Sequence, residues 1–187
     1  MSWTWLIFGL LLWAGAHLFK RVLPARRAAM GKAGRGVVAV LVLASIILMV
    51  IGYRGIDKEP LYALPVWTWH VNNLLMLVAI FLMDVGKAGG VVAAKVRHPM
   101  LLGVMIWAVA HLLVNGDLAS LVLFGGLLLW ALIEMAVINR AEGPWAAPEV
   151  GPIVNDVKFM VLALVLYAII VGIHYWLLDY SVILLLA

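Results

Sequence analysis

Residues 97–117 read RHPMLLGVMIWAVAHLLVNGD. From Pro99 to Val114 the stretch is apolar at nearly every position. A helical crossing of a bilayer takes roughly 20 residues, so this segment is slightly short for one. Asn115-Gly116-Asp117 then supplies a tight turn into the apolar run that begins at Leu118. The fourth and fifth apolar segments therefore read as a helical hairpin. Around the same greasy helix stand Arg97, His98, His111 and Asn115. Polar side chains in hydrocarbon are costly, so such a cluster marks a candidate site.

Composition outside this stretch sets the class. The chain has 187 residues, 67% hydrophobic and 12% charged, with a mean hydropathy of +1.15. A soluble domain carries about twice that share of charge. The reading is an all-α, polytopic membrane protein forming one domain over 1–187. With no cysteine, disulfides, thiolate metal ligands, a cysteine nucleophile and covalent c-type haem attachment are excluded. The net charge of +4 sits in loops between apolar runs and does not point to nucleic acid.

Six segments are long enough to span or nearly span: 3–19, 36–53, 66–83, 99–114, 118–138 and 157–178. The first lacks the basic start and the small-residue cleavage site of a signal peptide. Lys20, Arg21, Arg26, Arg27, Lys32, Arg35, Lys87, Lys95, Arg97, Arg140 and Lys158 fall on one side of a six-helix bundle, against Arg54 and Lys58 on the other. The positive-inside rule places the larger group in the cytoplasm and both termini outside. Residues 22–35 read as a basic loop that anchors to the membrane surface. Residues 141–156 read as irregular, with Asn155 or Asp156 capping the last helix. The apolar tail 180–187 has no assigned place, and no internal repeat stands out.

The histidines differ in setting. His174 neighbours Tyr175 and Trp176 and reads as part of an interfacial aromatic belt. His98 opens the fourth helix. His17 and His111 lie within apolar runs and need partners. Neutral imidazole is a good ligand for iron, copper or zinc. Two imidazoles on facing helices can also grip a haem. Gly103, Trp107 and His111 recur every four residues on one face. That face either leaves room for a flat ring walled by Trp107 or is a small-residue packing surface.

By helix rise, His17 lies about 21 Å from Trp3 and His111 about 18 Å from Pro99. In a hydrocarbon core of about 30 Å their depths then differ by about 10 Å, which leaves His70 as an alternative ligand. Gly126, Trp130 and Glu134 share a face of the fifth helix, with Arg97 or Arg140 as the expected partner of Glu134. Asp117 is placed to cap that helix. Asn115 either orients His111 or completes the turn.

Three blocks resemble the NnrU family of bacterial membrane proteins: AHLFKRVLPARRAAMG (16–31), WTWHVNNLLML (67–77) and RHPMLLGVMIWAVAHLLVNGDLASLVLFGGLLLWALIE (97–134). The resemblance implies a multi-pass protein of the bacterial inner membrane, linked to nitrite and nitric oxide metabolism in denitrification. It also implies a gaseous or apolar ligand and a membrane redox partner. The family is in turn similar to plant zeta-carotene isomerase, a membrane haem b enzyme. Its proposed iron ligands fall here on His17 and on His111, which closes Trp107-Ala108-Val109-Ala110-His111. The cysteine of that motif is Ala108 here, so a route that exchanges a thiolate at the iron is closed. The resemblance thus implies haem b on His17 and His111 with isomerase-like or redox chemistry; a non-enzymatic assembly factor is the alternative. A second likeness, of Arg97-His98-Pro99 with Gly103 to isoprenylcysteine carboxyl methyltransferases, implies S-adenosylmethionine at the cytoplasmic face. That family's tyrosine is Leu101 here, and of its paired glutamates only Glu134 is present.

Overall fold

The computed structural model of the protein describes residues 1–177, so the tail at 180–187 lies outside them. The described chain is helical: α1 (Ser2–Val22), α2 (Pro24–Ala29), α3 (Ala33–Arg54), α4 (Thr68–Val85), α5 (Val91–Lys95), α6 (Pro99–Leu112), α7 (Leu118–Glu142) and α8 (Ile153–Leu177). Among these residues no strand forms, only one isolated bridge between Pro60 and Asp117. Five helices, α1, α3, α4, α7 and α8, are long and apolar enough to cross a membrane. The helix in the fourth apolar segment, α6, has 14 residues. The basic stretch read as a loop holds α2, which starts on Pro24, a residue whose fixed φ suits a first helical turn.

The chain divides into two compact units. One comprises 1–62 and 117–143, hence α1, α2, α3 and α7. The other comprises 63–116 and the chain from 144 onward, hence α4, α5, α6 and α8.

In the first unit α1 and α3 run antiparallel in near backbone contact. A Cβ on Gly9 would lie 2.8 Å from Met49 N and 2.9 Å from Ser45 O, and one on Gly52 would strike the backbone at Leu6. Small residues give membrane helices this approach, since packing and not water release holds them together. The third helix of the unit, α7, runs parallel to α1. Near one end Gly126 meets the Leu10 side chain, and at the other Arg21 pairs with Glu142 at 2.7 Å. Asp117 caps α7, accepting the Ser120 N–H at 2.9 Å and the Ser120 hydroxyl at 2.6 Å. Tyr53 of α3 meets that hydroxyl oxygen at 2.8 Å. In the loop outside the helices, burial and then the Asp117 charge raise the Tyr62 phenol above its ordinary value.

In the second unit α4 and α6 run antiparallel over their whole length. Gly86 packs on Pro99 at one end, and the Thr68 hydroxyl reaches Leu113 O at 3.3 Å at the other. Between them a Cβ on Gly103 would come within 2.8 Å of Ala79 O. Asp156 does not serve its own helix. Its Oδ2 accepts from Val91 N at 2.7 Å and Val92 N at 3.4 Å, and so caps α5. The helices that flank the 115–117 turn take their partners within their own units: α6 packs on α4, and α7 on α1 and α3.

Gly52→Ala should lower unfolding stability in detergent by about 1–3 kcal/mol, the range for overpacking a tight contact. Gly15, whose Cβ would meet nothing within 4 Å, gives the control. Gly15→Ala should be neutral or gain up to about 1 kcal/mol from helix propensity. Thermal melts followed by circular dichroism read both.

Candidate functional site

The polar residues of α1 and α7 meet along the seam between these helices. His17 Nδ1 lies 2.9 Å from Trp13 O, one turn back on α1. A carbonyl only accepts, so Nδ1 carries the hydrogen, and in the neutral ring Nε2 carries the lone pair. The imidazole is boxed by indoles. Its centroid is 4.2 Å from that of Trp13, tilted by 37°, and 4.8 Å from that of Trp130, edge-on at 62°. The two indoles pack edge-to-face at 5.2 Å, a favoured aromatic geometry.

One turn beyond Trp130 sits Glu134, buried at 8% exposure. The titratable groups beside it are His17 and Arg21 of α1, in place of the Arg97 or Arg140 expected from sequence. Gly126, Trp130 and Glu134 do share a face, and it is the face that meets α1.

The second unit repeats this local design. His111 Nδ1 lies 2.9 Å from Trp107 O, and the two rings stack at 4.8 Å and 52°. The underlying sequences are Trp13-Ala14-Gly15-Ala16-His17 and Trp107-Ala108-Val109-Ala110-His111, a repeated W-A-x-A-H. This short repeat, too brief to stand out from composition alone, is the sequence signal that pairs the two sites. The histidine leans back toward the start of its helix, as helical side chains do, and so reaches the carbonyl four residues earlier.

The remaining candidates take other roles. Asn115 Nδ2 donates to His111 O at 2.9 Å, so Asn115 closes the end of α6. Gly103 faces α4, whose backbone and Met83 fill the space beside it. The glycine therefore serves packing and leaves no room for a ring there. His70 is exposed in the first turn of α4. His98 is the N-cap residue of α6, without a side-chain capping bond, and follows Arg97. His174, read as a belt residue, also bonds the carbonyl one turn back, Ile170 O, at 2.8 Å, and it lies close enough to His111 to act on its charge. Among the described residues no group of three or more histidines, cysteines or acids gathers as a set of metal ligands.

Comparison with known proteins agrees with the sequence blocks. A family model described as NnrU protein matches residues 5–182, and the chain belongs to that family. No curated protein and no solved structure matches it.

The tautomer is open to measurement. With ¹⁵N-labelled histidine, His17 and His111 should show a protonated Nδ1 and an unprotonated Nε2 at neutral pH without added cofactor. A proton on Nε2 alone at either residue would contradict the hydrogen-bond assignment.

Proposed function

We propose that this NnrU protein crosses the membrane six times and carries a b-type haem on the imidazoles of His17 and His111. The observation that supports the cofactor most is the twin W-A-x-A-H site, in which each ring has its Nδ1–H tied to the carbonyl one turn back, so that in the neutral ring Nε2 is the nitrogen that carries the lone pair. Haem-ligating histidines use this arrangement, because the anchored N–H fixes the ring and raises its basicity. The donor set suits a macrocycle better than a bare ion. A porphyrin brings its own equatorial nitrogens and asks the protein only for axial ligands.

Helix direction supports six crossings. The parallel pair α1 and α7 both start from the same side of the bilayer. With α3 and α4 as the two crossings after α1, the chain must cross once more before α7. The helix available is α6, which runs end to end against α4. At about 1.5 Å per residue it spans about 21 Å, within reach of a crossing when its flanking turns enter the interface. The positive-inside rule then keeps both termini outside the cytoplasm.

Bound haem would supply a redox-active iron able to take and pass on an electron, in keeping with the nitrite and nitric oxide metabolism that the family resemblance implies. The chain's own part is to orient the ligands. Trp13 and Trp107 wall the imidazoles and keep water from them, and Asn115 fixes the last turn beneath His111. With Ala108 beside it, the site offers iron no thiolate. In this reading the protein works with a membrane redox partner.

Purified in mild detergent after expression with haem supplied, the wild type should hold haem with a six-coordinate, low-spin visible spectrum. His17→Ala and His111→Ala should each abolish that spectrum, and exposed His70→Ala should leave it intact. A colourless folded wild type, or an unchanged spectrum in either buried variant, would overturn the assignment.

The chain has no cysteine, so single cysteines report topology directly. A membrane-impermeant maleimide applied to intact cells should label Asp57→Cys and Gly116→Cys, and Ala88→Cys only after lysis. Gly116→Cys behaving like Ala88→Cys would mean that α6 does not cross.

A further inference from the structure

The first unit buries polar atoms that its own hydrogen bonds leave unused. Trp13 Nε1, Trp130 Nε1 and Glu134 Oε2 are sealed from the surface and have no hydrogen-bond partner. All three residues belong to the cluster around His17. Trp130 is 6% and Glu134 8% exposed; the Trp130 indole N–H acts on the Glu134 carboxyl one turn away, but at a geometry that leaves Nε1 and Oε2 without a formed hydrogen bond. Buried polar groups are nearly always satisfied, and a native exception points to a missing water or ligand.

The chemistry of the missing group can be read from the atoms. An indole N–H only donates, and a carboxylate oxygen only accepts. A carbonyl would satisfy the indoles but offer nothing to Glu134. An ammonium would satisfy Glu134 but accept nothing from the indoles. A hydroxyl does both, with two lone pairs and one hydrogen.

We propose that the niche between Trp130 and Glu134 binds one hydroxyl group. Its oxygen accepts the Trp130 indole hydrogen, with Trp13 Nε1 as second donor, and its hydrogen goes to Glu134 Oε2. Two sources can bring that group: an internal water, or the alcohol headgroup of a molecule dissolved in the bilayer. The second source is at hand, since Leu129 and Ile133, the neighbours of Trp130 and Glu134 on α7, are 58% and 43% exposed. In either case an exchangeable proton is held beside His17, next to the Arg21–Glu142 pair at the end of the seam. The inference does not depend on haem, because it uses only groups of the protein.

The test is indole NMR on the full chain in detergent. The nine tryptophans, labelled at the indole nitrogen, give separate N–H signals, of which two are assigned by Trp13→Phe and Trp130→Phe. A water cross-peak at the Trp130 indole, with no response to decanol, supports the site with water as its occupant. A saturable shift of that signal by decanol, absent with decyl methyl ether, supports it with a lipid-borne alcohol. In that second case Glu134→Gln, which keeps an acceptor but loses its charge, should weaken decanol binding about tenfold. No water cross-peak and no shift, equal shifts with the ether, or unchanged decanol affinity in Glu134→Gln would each overturn the proposal.

Discussion

A bilayer offers no water to a polar group, so each one inside it must find its partner within the chain. That constraint shapes both histidine sites. An imidazole in hydrocarbon has a donor and an acceptor to place. In α1 and α6 the donor is met by the carbonyl one turn back, a group already inside the helix. The solution is local and independent of tertiary partners, and that is why the same W-A-x-A-H pattern builds a similar ring geometry in two separate units. In the neutral ring Nε2 then carries the lone pair.

The packing around these sites obeys the same constraint. Helices in lipid gain little from hiding apolar surface, so they approach where side chains are small. Gly9 and Gly52 let α1 and α3 touch, and Gly103 does so for α6 on α4. Close approach in the first unit brings Trp130 and Glu134 of α7 against Trp13, His17 and Arg21 of α1. The apolar positions that remain on α1, α3 and α8 are left facing outward, as a lipid-facing surface requires.

Much of this was legible in the sequence. Hydropathy placed the membrane segments to within a few residues, because an apolar run long enough to cross has few other fates. Asp117 was recognisable as a cap, since an aspartate ahead of a helix with Ser120 three residues on has one obvious local use. The shared face of Gly126, Trp130 and Glu134 followed from a spacing of four. Other features were hidden for physical reasons. Asp156 caps α5, which lies 65 residues away in the chain, and no local pattern announces a cap supplied across a fold. The partner of Glu134 depended on α1 running parallel to α7, a fact of topology that composition does not carry. Gly103 could have served a ring or a neighbouring helix, and only the position of α4 decides it. Short α2 emerged from what reads as a basic loop because Pro24 and the following alanines suit a helix once the chain lies at a surface.

The central claim is that two helices, each carrying the same five-residue site, present matched imidazoles to one iron. Electron paramagnetic resonance of the ferric, haem-loaded protein tests it most directly, because the signal reports axial ligands without reference to activity. The account predicts a low-spin spectrum with the g-values of two neutral imidazoles. A high-spin spectrum from iron with a single protein ligand, or one with no histidine signature, would contradict it.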